Sequence, residues 1–138
     1  MKSFNRLKTA TLATAMLAAL VGPCLATDLV VIVNPAAGTL TKDQVSDVFL
    51  GKSQALTPLD LPESSPVRAL FYPKATRRDL PQVKATWSRI VFTGKGQVPR
   101  ELADAAAIKK AVSADPKAIG YIERSSLDST VKVAWSVE

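Results

Sequence analysis

The chain has 138 residues, with 18 Lys and Arg against 12 Asp and Glu, one Cys and no His, for a formal net charge of +6. Without an imidazole there is no His base to activate a nucleophile, and one Cys with no His makes neither an internal disulfide nor a Cys/His zinc site.

The chain opens on a basic segment, Lys2, Arg6 and Lys8, followed by an apolar Ala- and Leu-rich run over residues 11–21. Cys24-Leu25-Ala26 then supplies small residues at the outer positions of a cleavage site. The run is shorter than the roughly 20 residues of a membrane span. The pattern predicts a secretory signal peptide over 1–26, cleaved to leave a domain of residues 27–138 in the periplasm or outside the cell. A lipoprotein reading through Cys24 is weaker, because Val21-Gly22-Pro23 is a poor approach to a lipidated Cys. Cleavage would remove three cations, no acid and the only Cys, leaving 112 of the 138 residues with a net charge of +3. That length suits one small domain. Most of the basicity then belongs to targeting, so no nucleic-acid partner is expected. No transmembrane span, thiol nucleophile or Cys or His metal ligand remains in the mature domain.

Residues 28–33, Asp-Leu-Val-Val-Ile-Val, form a β-branched run stopped by Asn34-Pro35, and predict a central strand covered on both faces. Thr41-Lys42-Asp43-Gln44 reads as a capping box opening a helix that buries Val45, Val48 and Phe49 and stops at Gly51. Residues 55–61 are apolar with Pro58 inside, which predicts a short or edge strand.

Residues 61–72 carry the most informative stretch. Ser65 suits a helix N-cap and Pro66 the first helical position, with Val67, Leu70 and Phe71 as the expected buried face to about Ala75. A helix opening on Ser64 and Ser65 presents main-chain N–H groups and the positive end of its dipole to a small oxyanion, and Arg68 adds a fork of donors. An ordinary capped surface helix is the other reading of the same residues. Thr76-Arg77-Arg78 reads as a solvated bend. Asp79 caps a helix with Val83, Trp87, Ile90 and Val91 on one stripe. Gly94-Lys95-Gly96 is either a surface turn or an anion nest. Asp104 opens an Ala-rich helix to about Ala114, residues 118–122 read as a strand with Gly120 allowing close approach, residues 125–129 as a turn, and residues 130–135 as a last strand. Strands and helices interleave, giving one α/β unit, with Trp87, Phe49, Leu70 and Ile119 expected in a shared core.

Three motifs in order resemble the extracytoplasmic solute-binding proteins of phosphate ABC importers. They are residues 40–52, ending in Gly51-Lys52; Gly94-Lys95-Gly96; and Pro116-Lys117-Ala118-Ile119-Gly120-Tyr121-Ile122. The resemblance covers about one of that family's two lobes. It implies one compact three-layer lobe of a periplasmic-binding-protein-like fold, a mixed sheet flanked by helices. It also implies binding without catalysis and without a cofactor or metal, of phosphate held by hydroxyls, helix-start N–H groups and an arginine. The family's Gly-Ser-Gly-Thr helix start falls on Ser64-Ser65-Pro66-Val67. Ser65 keeps a hydroxyl, Pro66 and Val67 lose an N–H and a second hydroxyl, and the arginine expected upstream falls near Leu61, with Arg68 as a substitute.

Two functions follow. One is a weak anion-binding domain with Ser64, Ser65, Arg68, Gly94, Lys95 and Gly96 as candidate site residues. The other is a periplasmic module that docks a membrane sensor, a transporter subunit or another copy of itself, without a small ligand. An enzyme is the remaining reading, and neither Ser64 nor Ser65 has a His to activate it, while Lys74 or Lys95 as base would need burial.

Overall fold

A computed structural model describes residues 28–137; the expected signal segment 1–26, with Cys24, lies outside the described residues. Strand β1 (Leu29–Val33) is buried along its whole length, as its unbroken apolar run requires. It runs antiparallel to β4 (Ala118–Glu123) on one side and to β5 (Lys132–Val137) on the other. Strand β2 (Thr57–Asp60) runs parallel to β4 and to the two-residue β3 (Arg100–Glu101), giving the order β3-β2-β4-β1-β5. The sheet is therefore mixed. β1 is interior, as expected, but the middle position belongs to β4.

The helices are α1 (Lys42–Phe49), α2 (Pro66–Thr76), α3 (Leu80–Phe92) and α4 (Ala105–Ala114). Each begins on a side chain that accepts from the first turn: Thr41, Ser65, Asp79 and Asp104. Thr41/Gln44 and Asp79/Gln82 form full capping boxes. Two adjacent residues of β4 show how the layers lie. A Cβ on Gly120 would come within 2.5 Å of the Ile108 side chain on α4. Its neighbour Tyr121 stacks on Phe71 of α2, ring centroids 3.9 Å apart, and meets Phe49 of α1 edge-on at 5.8 Å. Successive strand residues point to opposite faces, so α4 covers one face of the sheet while α1 and α2 cover the other. α3 joins the second group through Trp87, whose indole N–H donates to the Phe49 carbonyl at 2.9 Å. No helix among the described residues is long and apolar enough to cross a membrane.

β2 meets its expectation by being short, at 4 residues, while the edge position goes to β3. Its proline is still tolerated, because Pro58 pairs with Ile119 of β4 and only Leu59 and Asp60 pair with β3. Several expectations need correction. β5 begins two residues later than expected and carries a register shift opposite Val31/Ile32. There the Ala134 carbonyl accepts the Leu40 N–H at 3.0 Å instead of a ladder donor. Leu70 is 40% exposed rather than in the core. The buried face of α2 consists of Phe71, Tyr72, Ala75 and Thr76. At about 100° per residue, Leu70 lies on the far side from Tyr72. On α3, Val83 and Trp87 are buried and Ile90 packs partly against the core, while Val91 lies outside the stripe and is exposed.

The close approach at Gly120 yields a first prediction. Gly120→Ala should destabilise the fold by about 1–3 kcal/mol through overpacking against Ile108. Gly38→Ala, where an added Cβ meets nothing within 4 Å, should stay within about 0.5 kcal/mol of wild type. Urea unfolding of both variants checks the contrast.

Candidate functional site

β2 and β4 run parallel in single-residue register from Thr57↔Ala118 and Pro58↔Ile119, which carries Asp60 to the level of Tyr121. The crossover from β2 to β3 runs through α2 and α3, and that from β3 to β4 through α4, on opposite faces of the sheet. In open α/β sheets such an arrangement leaves a crevice beyond the carboxyl ends of the strands, where ligands bind. Asp60 and Glu101 end β2 and β3 there, and α2 and α4 begin there.

Asp60 is buried, with its carboxylate surrounded by donors. The Tyr72 hydroxyl donates to Oδ2 at 2.6 Å, the Tyr121 hydroxyl to Oδ1, and the Leu61 N–H to Oδ1 at 2.9 Å. Arg68 Nη2 lies 3.6 Å from Oδ2. Arg68 Nη1 donates to the Leu61 carbonyl at 2.8 Å and to Glu101 Oε1 at 3.0 Å, and Cζ sits 5.8 Å from the centre of the Tyr72 ring. Its Nε is buried and has no hydrogen-bond partner among the described residues.

Burial pushes the Asp60 carboxyl above its ordinary range, and the hydroxyls of Tyr121 and Tyr72, the Arg68 cation and the Leu61 amide pull it only part of the way back. Burial and the adjoining Asp60 charge push both phenols well up, so they stay protonated and act as donors. Burial alone would lower Arg68, but Asp60 and Glu101 outweigh it and keep the guanidinium charged.

The candidate residues read from the sequence do not converge on one cavity. Ser64 is exposed. The Ser65 hydroxyl caps α2 by accepting the Arg68 N–H at 3.5 Å, and its own N–H donates to the Pro62 carbonyl at 2.8 Å. Ser65 borders a cavity of about 270 Å3 whose charged neighbours, Asp104 and Glu123, are both acids. Arg68 does not offer a free fork, since both of its terminal nitrogens serve the protein. It borders a different cavity of about 670 Å3, together with Lys84, Arg100, Asp60, Glu63 and Glu101. Gly94-Lys95-Gly96 lies along a third, of about 720 Å3. The N–H groups of Gly94 and Lys95 donate to the Val91 and Ile90 carbonyls at 3.0 and 3.1 Å, which engages the donors an anion nest would need.

Asp60, Tyr72, Tyr121 and Glu101 did not stand out from the sequence. The one local signal is an acid lodged between Leu59 and Leu61, since an aspartate inside an apolar strand must find buried donors.

The chain shares its fold with the receptors of phosphate transport. It superimposes on an ABC-type phosphate transport receptor from Vibrio cholerae with a TM-score of 0.60 and 20% identity, covering 77% of this chain and 44% of that one. A substrate-binding protein structure from Clostridium perfringens with bound phosphate gives 0.58 and 20%, over 78% and 44%. PstS from Borrelia burgdorferi gives 0.57 and 13%, over 77% and 46%. The chain thus spans under half the length of these proteins. No protein-family model and no curated protein sequence matches it. The five-stranded mixed sheet flanked by helices is a periplasmic-binding-protein-like lobe.

The second prediction concerns Asp60. Its folded carboxyl holds a proton more tightly than the unfolded value of 3.8, so the folded state carries the extra proton above that value. Stability therefore falls as pH rises through the window between the unfolded and folded values. Asp128, held below the ordinary range by Lys109 and Thr130, works in the opposite sense, with its contribution lost as pH falls. Comparison of wild type with Asp60→Asn isolates the first effect. The stability of wild type relative to the variant should decline as pH rises above the ordinary carboxylate range and then level off, read from urea midpoints at each pH.

Proposed function

We propose that the domain is an exported, non-catalytic solute-binding lobe that takes a phosphate-like oxyanion weakly beside the start of α2, released by signal cleavage near Ala26. The observation that supports this reading most directly is Arg68 Nε, a buried donor without a partner among the described residues, in a side chain that borders a 670 Å3 cavity. A buried N–H without an acceptor is uncommon and costs about 1–3 kcal/mol. A ligand oxygen at this point would relieve that cost. Lys84 and Arg100 border the same cavity and supply attraction, whereas Ser64 and Ser65, at the helix start, do not border it. The likeness to phosphate receptors supports the ligand class, and an ABC transporter or a membrane sensor is the corresponding protein partner.

The binding is weak for reasons of charge. Arg68 already faces Asp60 and Glu101, and Lys84 lies 3.9 Å from Glu63. An affinity on the order of millimolar, about −4 kcal/mol, fits such a half-neutralised site. Added salt should weaken it further, since the cavity opens to solvent.

The third prediction is read by NMR. Titrating phosphate should shift the Arg68 Nε–Hε resonance saturably, together with the amides of Lys84 and Arg100, which border the same cavity. Lys84→Gln combined with Arg100→Gln should weaken the effect several-fold without touching Asp60. A folded protein whose Nε–Hε resonance ignores phosphate overturns the proposal. One observation favours the docking module as a second reading: Phe92 is 92% exposed at the end of α3, with Val91 and Val98 also exposed nearby in the chain. Loss of partner capture by Phe92→Ser, with phosphate shifts absent in wild type, would select it.

A further inference from the structure

The geometry points to a second ligand site, separate from Arg68: the 720 Å3 cleft between the α1–β2 connection and the turn after α3 is built for a small organic anion with an apolar body. Its volume falls within the roughly 300–1,000 Å3 of small-molecule sites. Its floor is apolar, made by Val48, Leu56, Ile90 and the Trp87 ring. The indole N–H of Trp87 already donates to the Phe49 carbonyl, so its ring offers the cleft only apolar surface. The rim is polar and carries Ser53, Gln54, Thr57 and Gln97.

Charge decides the ligand class. Among the described residues, Lys95 is the only ionisable side chain that lines the cleft and no carboxylate borders it. Lys95 forms no ion pair among the described residues. One cationic residue bordering a cleft with an apolar floor suits a monocarboxylate or sulfonate with a short hydrocarbon or ring. Inorganic phosphate would leave the floor uncovered.

The walls are preorganised. Gln54 Nε2 donates to the Lys95 carbonyl at 2.9 Å, tying the two rims together. Gly94 turns the chain back at φ 71°, with the Gly94 and Lys95 amides bonded to the last turn of α3. Gly51, at φ 75°, lets the α1 end approach so closely that an added Cβ would meet Ile90 at 2.5 Å and Trp87 at 3.1 Å. Binding would thus require little ordering of the backbone.

The probe is hexanoate, with hexan-1-ol as its uncharged counterpart and inorganic phosphate as the charged one without an apolar body. Amide shifts at Gly94 and Gly96, which border this cleft and not the Arg68 cavity, follow the site directly, and fluorescence in a Trp135→Phe background adds Trp87, which borders both. Hexanoate is expected to give saturable changes in both, with hexan-1-ol about fivefold weaker and Lys95→Gln lowering hexanoate to the level of the alcohol. Lys95 is exposed, so the variant should keep the wild-type spectrum elsewhere. Three results overturn the inference: no saturable change with hexanoate, equal binding of hexan-1-ol, or loop shifts as strong with phosphate as with hexanoate. Because the phosphate site is read at Arg68 Nε and this one at the loop, either can fail alone.

Discussion

A carboxylate buried at the end of β2 ties together most of one end of the molecule. Asp60 belongs to β2, Tyr72 and Arg68 to α2, Tyr121 to β4, and Glu101, reached through Arg68, to β3. Removing a carboxylate from water costs several kcal/mol even after relaxation. Two hydroxyls, one amide and a nearby guanidinium offset part of that cost. The dependence is mutual, because two buried phenols need an acceptor and Asp60 provides one for each. The aromatic packing follows from it. With their hydroxyls fixed, the Tyr72 and Tyr121 rings meet Phe49 and Phe71 in edge-on and stacked pairs between 3.9 and 6.1 Å. This network also holds α2 at a defined rotation, which is why Leu70 faces water.

The same network limits what Arg68 could offer to the proposed anion. A guanidinium has five N–H donors in a fixed fork, and here the terminal nitrogens face Asp60, Glu101 and the Leu61 carbonyl. Arg68 is therefore a structural tie, and of its three side-chain nitrogens only Nε is left without a hydrogen-bond partner among the described residues. The serines are similarly divided: Ser65 completes the helix start, and Ser64 stands in solvent.

The elements themselves were legible because their signals are local. Thr41, Ser65, Asp79 and Asp104 each sit at the helix start their sequence predicts, and the uninterrupted run at β1 marks a strand covered on both faces. The two-residue β3 carries no periodicity to read, and it exists through its pairing with Leu59 and Asp60. The candidate site was less legible, since its defining contacts join distant positions: Asp60 with Tyr121 sixty-one residues on, and Arg68 with Glu101 thirty-three on. Ser65 and Arg68 were visible as a helix start followed by a cation. That the cation faces two carboxylates on other strands is a property of the sheet order alone. The Leu70 expectation failed for a related reason. Assigning Tyr72 to the buried face requires a buried acceptor for its hydroxyl, and that acceptor lies on another element.

The described residues also fix what kind of recognition this lobe can support. Each candidate cavity is an open cleft on one lobe, so a bound anion keeps part of its surface in water. There a charge pair at about 4 Å is worth nearer 1 kcal/mol than the larger values of a desolvated interior. Net charge then contributes little, and donor geometry that does not need to be reorganised contributes more. Arg68 Nε is such a donor, because the other two nitrogens of its guanidinium already hold the plane in place. The Lys95 cleft reaches the same end by another route, adding apolar contact to a single charge so that affinity does not rest on a screened ion pair. On the two proposals, clefts that share Trp87 and Gln97 as lining residues would divide the tasks that a closed site would combine: one a fixed donor for an oxyanion, the other an apolar floor with a lone cation at its border.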